Sequence, residues 1–176
     1  MNPGPYGRAV AKPHELHRKA GPKSVRVGIV TVSDSRTEQT DESGELIRRK
    51  LVDAGNTVPF YRVVKDDPNA IAAAVEEALR ASDAVITDGG TGLGKRDVTI
   101  ATLDPTFERR LPGFGELFRA LSYKDVGAAA MLSGAIAGVV RGKLVFCLPG
   151  SPAACALAMD ALILPELPHA VGVMSR

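Results

Sequence analysis

The residues best suited to chemistry lie in Thr87-Asp-Gly-Gly-Thr-Gly-Leu-Gly-Lys-Arg-Asp-Val-Thr99, where four of the six positions from 89 to 94 are glycine. Glycine tolerates positive φ and close backbone approach, so such a stretch can turn its N–H groups toward an anion. Gly89, Gly94 and Lys95 match the Gly-x-x-x-x-Gly-Lys of a P-loop, but position 96 is Arg and the hydroxyl that would bind Mg²⁺ is missing. A dinucleotide-binding Gly-x-Gly-x-x-Gly fails as well, because Gly90 and Gly92 are followed by Lys at position 95.

Carboxylates flank this stretch. Asp97 follows it directly, and Asp66 or Asp67 comes at the end of an earlier apolar run. Mg²⁺ prefers one or two carboxylates plus phosphate oxygens, so either pairing suits a metal–nucleotide complex. Asp before Pro68 is equally the signature of a helix start. Two further polar turns, Ser33-Asp34-Ser35 and Pro149-Gly150-Ser151-Pro152, could each be only a turn and a cap. Together the loops favour a phosphorylated ligand rich in heteroatoms over an apolar one. His14, His17 and His169 are too scattered for a nucleophilic triad, and Cys147 and Cys155 sit in apolar runs as small hydrophobes. Phosphoryl or nucleotidyl transfer fits better, since it depends on positioning and charge neutralisation.

These loops need a scaffold that brings them to one edge, and the text from Val25 onward supplies it. Val25–Val32 is a buried strand, Glu42–Ala54 an amphipathic helix, Thr57–Val64 a strand, Pro68–Ala81 a helix and Ala84–Thr87 a third strand. Alternation of this kind predicts a three-layer αβα, mostly parallel sheet with helices on both faces and ligand loops at the carboxyl ends of its strands. A short helical piece and a helix from about Phe114 to Lys124 follow. Ala135–Val140 and Lys143–Leu148, joined by Arg141-Gly142, read as an added antiparallel hairpin, and a last helix opens at Pro152 to be ended or kinked by Pro165 and Pro168.

Residues 1–24, with four prolines among glycines and cations, read as an arm that is either flexible or packed on a neighbouring subunit; 25–176 read as a single domain. With 45% hydrophobic and 24% charged residues the chain has ordinary globular composition, and a net charge of +2 is too mild to indicate nucleic-acid binding. Arg109–Arg110 reads as a solvated helix face. The terminus shows no apolar stretch of signal-peptide length and later apolar runs are broken by Gly, Arg or Pro, so a cytoplasmic protein without a membrane partner is expected.

Five motifs occur together and in order: Val27-Gly-Ile-Val-Thr-Val-Ser-Asp34, Asp88-Gly-Gly-Thr-Gly-Leu93, Arg96-Asp-Val-Thr99, Pro112-Gly-Phe-Gly115 and Leu148-Pro-Gly-Ser-Pro152. In these the chain resembles the MoaB/MogA family of molybdenum cofactor biosynthesis proteins, from about Val25 to Ala170. The arm, Thr37-Glu-Gln-Thr-Asp41, Leu121-Ser-Tyr123 and Pro152-Ala-Ala-Cys155 look more like the MoaB branch. The resemblance implies Mg²⁺-dependent transfer of AMP from ATP to the terminal phosphate of molybdopterin, with Asp66 and Asp97 as the metal-linked catalytic aspartates. It places the ligand on Ser33 and Asp34, on Gly89, Gly90, Thr91 and Gly92, on Ser133, and on Pro149, Gly150, Ser151 and Pro152. It further implies a homotrimer or homohexamer, with other molybdenum cofactor enzymes as further partners. The alternative is a catalytically silent molybdopterin-binding or scaffold protein of the same fold. Two positions depart from the family pattern: Asp88 stands where a neutral Thr, Ser or Asn is usual, and Gly134 where an Arg commonly follows the serine. Both remove positive potential from an anion site.

Overall fold

The computed structural model describes residues 21–174, so the arm before residue 21 and the last two residues lie outside the described chain. Four strands, β1 (Arg26–Val32), β2 (Thr57–Val64), β3 (Ala84–Asp88) and β6 (Lys143–Leu148), pair in parallel, and β5 (Ile136–Val140) and β4 (Arg109–Arg110) extend the sheet antiparallel. The spatial order is β2-β1-β3-β6-β5-β4. β5 and β6 form the expected hairpin, and both Arg141 (φ 51°) and Gly142 (φ 70°) have the positive φ that a two-residue turn matched to strand twist requires.

Helices cover both faces, as the alternation predicts. On one face α1 (Glu42–Asp53), α4 (Pro112–Val126) and the C-terminal helical run enclose Ile29, Ile86, Phe146 and Leu148 with Ile47, Leu51, Phe118 and Met159. On the other, α2 (Pro68–Ala81) and the short α3 (Thr99–Leu103) bury Ile71, Ala78, Leu79 and Leu103 against Val30, Val85 and Val145. The strands bury both faces, which is why they read as continuous apolar runs.

Two features differ from the sequence reading. Arg109–Arg110 is not a helix face but the two-residue edge strand β4, paired with Val139 and Gly138; two residues carry no readable period. Pro165 and Pro168 do not end the last helix: α5 (Pro152–Ala158) passes through a π turn (Met159–Ile163) into α6 (Leu164–Met174), which contains both prolines. The wider turn lies just upstream, where a proline ring displaces the preceding carbonyls. That run, Pro152–Met174, is long and apolar enough by length and composition to cross a membrane; Cys155, Met159, Ile163 and Leu167 on it are buried in the core.

Candidate functional site

β1 and β3 are neighbours whose following chains leave in opposite senses, β1 toward β2 on one side and β3 toward β6 on the other. Loops diverge at such a switch point and leave a crevice outside the carboxyl ends of the strands. Register brings the loops to one level: Val32 pairs with Val64, Thr31 with Asp88, and Asp88 with Leu148. The loops starting at 33, 65, 89 and 149 therefore share one edge of the sheet.

The glycine loop is fixed from below. Gly89 (φ 94°) passes over β1 so closely that a Cβ would overlap the Val32 carbonyl oxygen. Thr99 Oγ1 donates to Gly89 O at 2.8 Å and Thr99 N to Gly90 O at 2.9 Å. In a trans peptide C=O and the next N–H point in opposite directions, so the N–H groups of Gly90 and Thr91 face away from Thr99. That is the orientation an anion cradle needs.

On one side of this loop three carboxylates converge. A Cβ at Gly90 would lie 2.9 Å from Asp66 Oδ1, and one at Gly92 would lie 2.8 Å from Asp97 Oδ2. Asp97 Oδ2 also accepts from Gly94 N at 2.9 Å, closing its own turn. Asp34 accepts from Asp66 N at 3.3 Å and is ion-paired with Arg96. Burial, then the charges of Asp34 and Asp97, hold the Asp66 carboxyl above the usual carboxylate range, against the pull of Arg96. Asp67 faces elsewhere: its side chain accepts from Ala70 N at 2.8 Å as the N-cap of α2. Among the described residues no group of three or more His, Cys, Asp or Glu side chains is placed so that it could hold a metal ion by itself.

On the other side lies a cleft of about 200 Å³ that brings together Ser133, Pro149 and Ser151. Ser122 and Asp125 of α4 also line it; sequence reasoning missed them, because nothing in the spacing of that helix sets them apart from other polar positions. The two sides meet through backbone. A Cβ at Gly150 would lie 2.9 Å from Gly89 Cα, and one at Gly134 would overlap the Thr91 carbonyl oxygen. Gly134 is thus imposed by the packing of its loop on Thr91, and this backbone has no room there for an arginine. Ser33, by contrast, spends its hydroxyl within its own turn, accepting from Ser35 N and Arg36 N, while Ser151 and Pro152 also cap and open α5.

Beneath the site is a buried polar cluster that the sequence did not announce. Asp41 caps α1 by accepting from Gly44 N at 3.0 Å, accepts from Tyr61 OH at 2.7 Å and is paired with Arg36. Ser43 donates to Gly150 O at 2.9 Å, tying α1 to the 149–152 turn. Asp88 is fully buried, accepts from Thr31 Oγ1 at 2.8 Å and has no partner for Oδ1. Burial first, and the charge of Asp41 second, push its carboxyl up to about 7, against the Thr31 hydrogen bond and Arg36. The expected loss of positive potential at position 88 is therefore reduced, because burial favours the protonated, uncharged form of this carboxyl. Cys147 and Cys155 are free and buried, and burial pushes the Cys147 thiol up to about 12, so neither is an activated nucleophile.

Residues 28–169 match the model of a family described as "Probable molybdopterin binding domain". The molybdenum cofactor biosynthesis protein B of Bacillus anthracis is 51% identical over 156 residues, covering 87% of this chain and 92% of that protein. A crystal structure of a molybdenum cofactor biosynthesis protein B superposes with a TM-score of 0.85 at 49% identity, covering 88% of this chain and 98% of the other. A MogA structure superposes with a TM-score of 0.76 at 29% identity, covering 85% and 99%. The higher identity on the protein B side decides the branch: the chain belongs to the MoaB/MogA family of molybdenum cofactor biosynthesis proteins and stands closer to MoaB than to MogA.

Proposed function

We propose that the chain is a molybdopterin adenylyltransferase, moving AMP from ATP to the terminal phosphate of molybdopterin with release of pyrophosphate. The observation that carries this reading is the convergence of Asp66 and Asp97 on the glycine loop at the β1/β3 switch point. Their oxygen donors suit Mg²⁺, which takes one or two carboxylates and completes its shell with phosphate oxygens and water. The raised Asp66 carboxyl supports the fit: burial first, and the charges of Asp34 and Asp97 second, disfavour its ionised form, and a cation relieves both. When bound, Mg²⁺ would neutralise charge on the polyphosphate.

The chain's own residues do the rest. N–H groups of the 89–92 loop orient a phosphate, and Ser133 with the 149–151 turn closes the second cleft for the acceptor. A phosphate oxygen of molybdopterin attacks the α-phosphorus of ATP while the bond to the departing pyrophosphate breaks. The attacking phosphate is already anionic, so the reaction needs no histidine base.

We also propose that the protein works as a homotrimer or homohexamer. Leu117, Tyr123, Val126, Met131 and Leu132, on α4 and the 3₁₀ turn after it, are large apolar side chains more than half exposed. Such a concentration marks an association surface. The activity is tested by incubating the protein with molybdopterin, ATP and Mg²⁺. Adenylylated molybdopterin and pyrophosphate are the expected products; binding without product would leave the silent scaffold as the correct account.

A further inference from the structure

Arg96 reaches the converged carboxylates through its ion pair with Asp34, and its side chain is 81% exposed. Asp34 is committed twice, since its other oxygen accepts the N–H of Asp66 at 3.3 Å. Its backbone oxygen accepts from Lys65 as well. One residue thus ties together the loops after β1, β2 and β3. A guanidinium on an exposed stem beside an anion cradle can exchange one carboxylate for phosphate oxygens, which it grips through a fork of donors. An exposed ion pair is a weak hold.

We propose that Asp34 is an internal stand-in for the polyphosphate: Arg96 pairs with it and leaves it for phosphate oxygens when the ligand binds, while Asp34 remains the positioning residue that fixes Asp66 through its N–H. This rests on the adenylyl-transfer reading for the identity of the ligand, and extends it to a residue pair with opposed effects on affinity. Arg96 contributes binding; Asp34 opposes binding and supports turnover.

Calorimetric titrations of the full chain with inorganic tripolyphosphate, and with a non-hydrolysable ATP analogue plus Mg²⁺, test this at one fixed ionic strength. Arg96→Gln should weaken both ligands about tenfold, with Arg96→Lys between it and wild type. Asp34→Asn should tighten both about threefold, since the internal pair no longer competes. In turnover assays Asp34→Asn should lower KM for ATP and lower kcat together. Melting curves check that each variant is folded, and both side chains reach solvent, so neither change opens the core.

The decisive comparison is Asp34→Asn in the Arg96→Gln background, where the tightening should disappear. Equal tightening in both backgrounds would report only the removal of a like charge and would overturn the exchange, as would weakening by Asp34→Asn. If wild type binds neither probe, the exchange and the adenylyl-transfer reading both fall. If the affinities shift as expected but no adenylylated product forms, the exchange stands as a polyphosphate device and only that reading fails.

Discussion

Replacing Asp88 by Asn gives a stability change whose sign depends on pH. The carboxyl titrates at about 7 in the folded chain against an ordinary 3.8, and this gap corresponds to about 4 kcal/mol. Below about pH 3 both folded and unfolded chains hold the proton and the gap costs nothing. As pH rises the unfolded chain ionises first, so the unfolded state binds fewer protons and stability falls until the folded carboxyl also ionises near 7. Asparagine has nearly the same shape, can still accept from Thr31, and does not titrate. The measurement is urea unfolding of both proteins at one protein concentration. The stability of Asp88→Asn minus that of wild type should climb by about 3 kcal/mol between pH 5 and pH 8, with any pH-independent cost of the buried amide cancelling from the slope. The groups facing Asp88 include Thr31, Asp41, Arg36, Tyr61 and Cys155, and all are common to both proteins. A flat difference across that range would show that Asp88 ionises normally, and that the burial reasoning is wrong.

Asp97→Asn should abolish adenylyl transfer without lowering the melting temperature, and Asp66→Asn should behave alike, because each keeps its shape and loses its charge; Asp67→Asn should be near wild type, since Asn caps a helix as well as Asp. Normal turnover in a folded Asp97→Asn protein would remove that residue from the site. Gly92→Val should reduce nucleotide affinity in calorimetric titration more than it reduces stability, because the new side chain meets the Asp97 carboxylate and little else. An unchanged affinity with a large fall in melting temperature would make the loop structural. Sedimentation of the full chain and of one starting at Ser24 should show oligomers, with the arm distinguishing hexamer from trimer; monomers in both would refute assembly.

The parallel framework was legible because its strands and helices carry long, regular apolar patterns; Thr57–Val64 and Pro68–Ala81 match to the residue. The glycine loop and its neighbours were legible from where they fall, since a parallel sheet sends every strand's exit to one edge. What stayed hidden depends on tertiary contact. That Asp41 and Tyr61 meet across 20 residues, or that Asp88 faces the α1 side of the sheet while Thr87 faces the other, follows from register and packing and leaves no mark in local spacing. Asp66 and Asp67 are adjacent carboxylates with indistinguishable types; only the fold assigns one to the site and the other to a helix cap. Gly134 reads as the loss of an arginine until the Thr91 carbonyl is seen to fill the space.

Both borders of the sheet are ill suited to recruiting another strand. One border is β4, only two residues long and both of them arginine. The other is β2, where the register with β1 slips between Thr57 and Phe60, so that Pro59, which has no N–H to donate, sits at the irregularity. Short, charged, proline-bearing borders keep exposed backbone from templating open-ended growth. In the proposed oligomer, copies of this chain would then meet through side chains on their helical layers, where contacts can close into a finite ring instead of running on as a fibre.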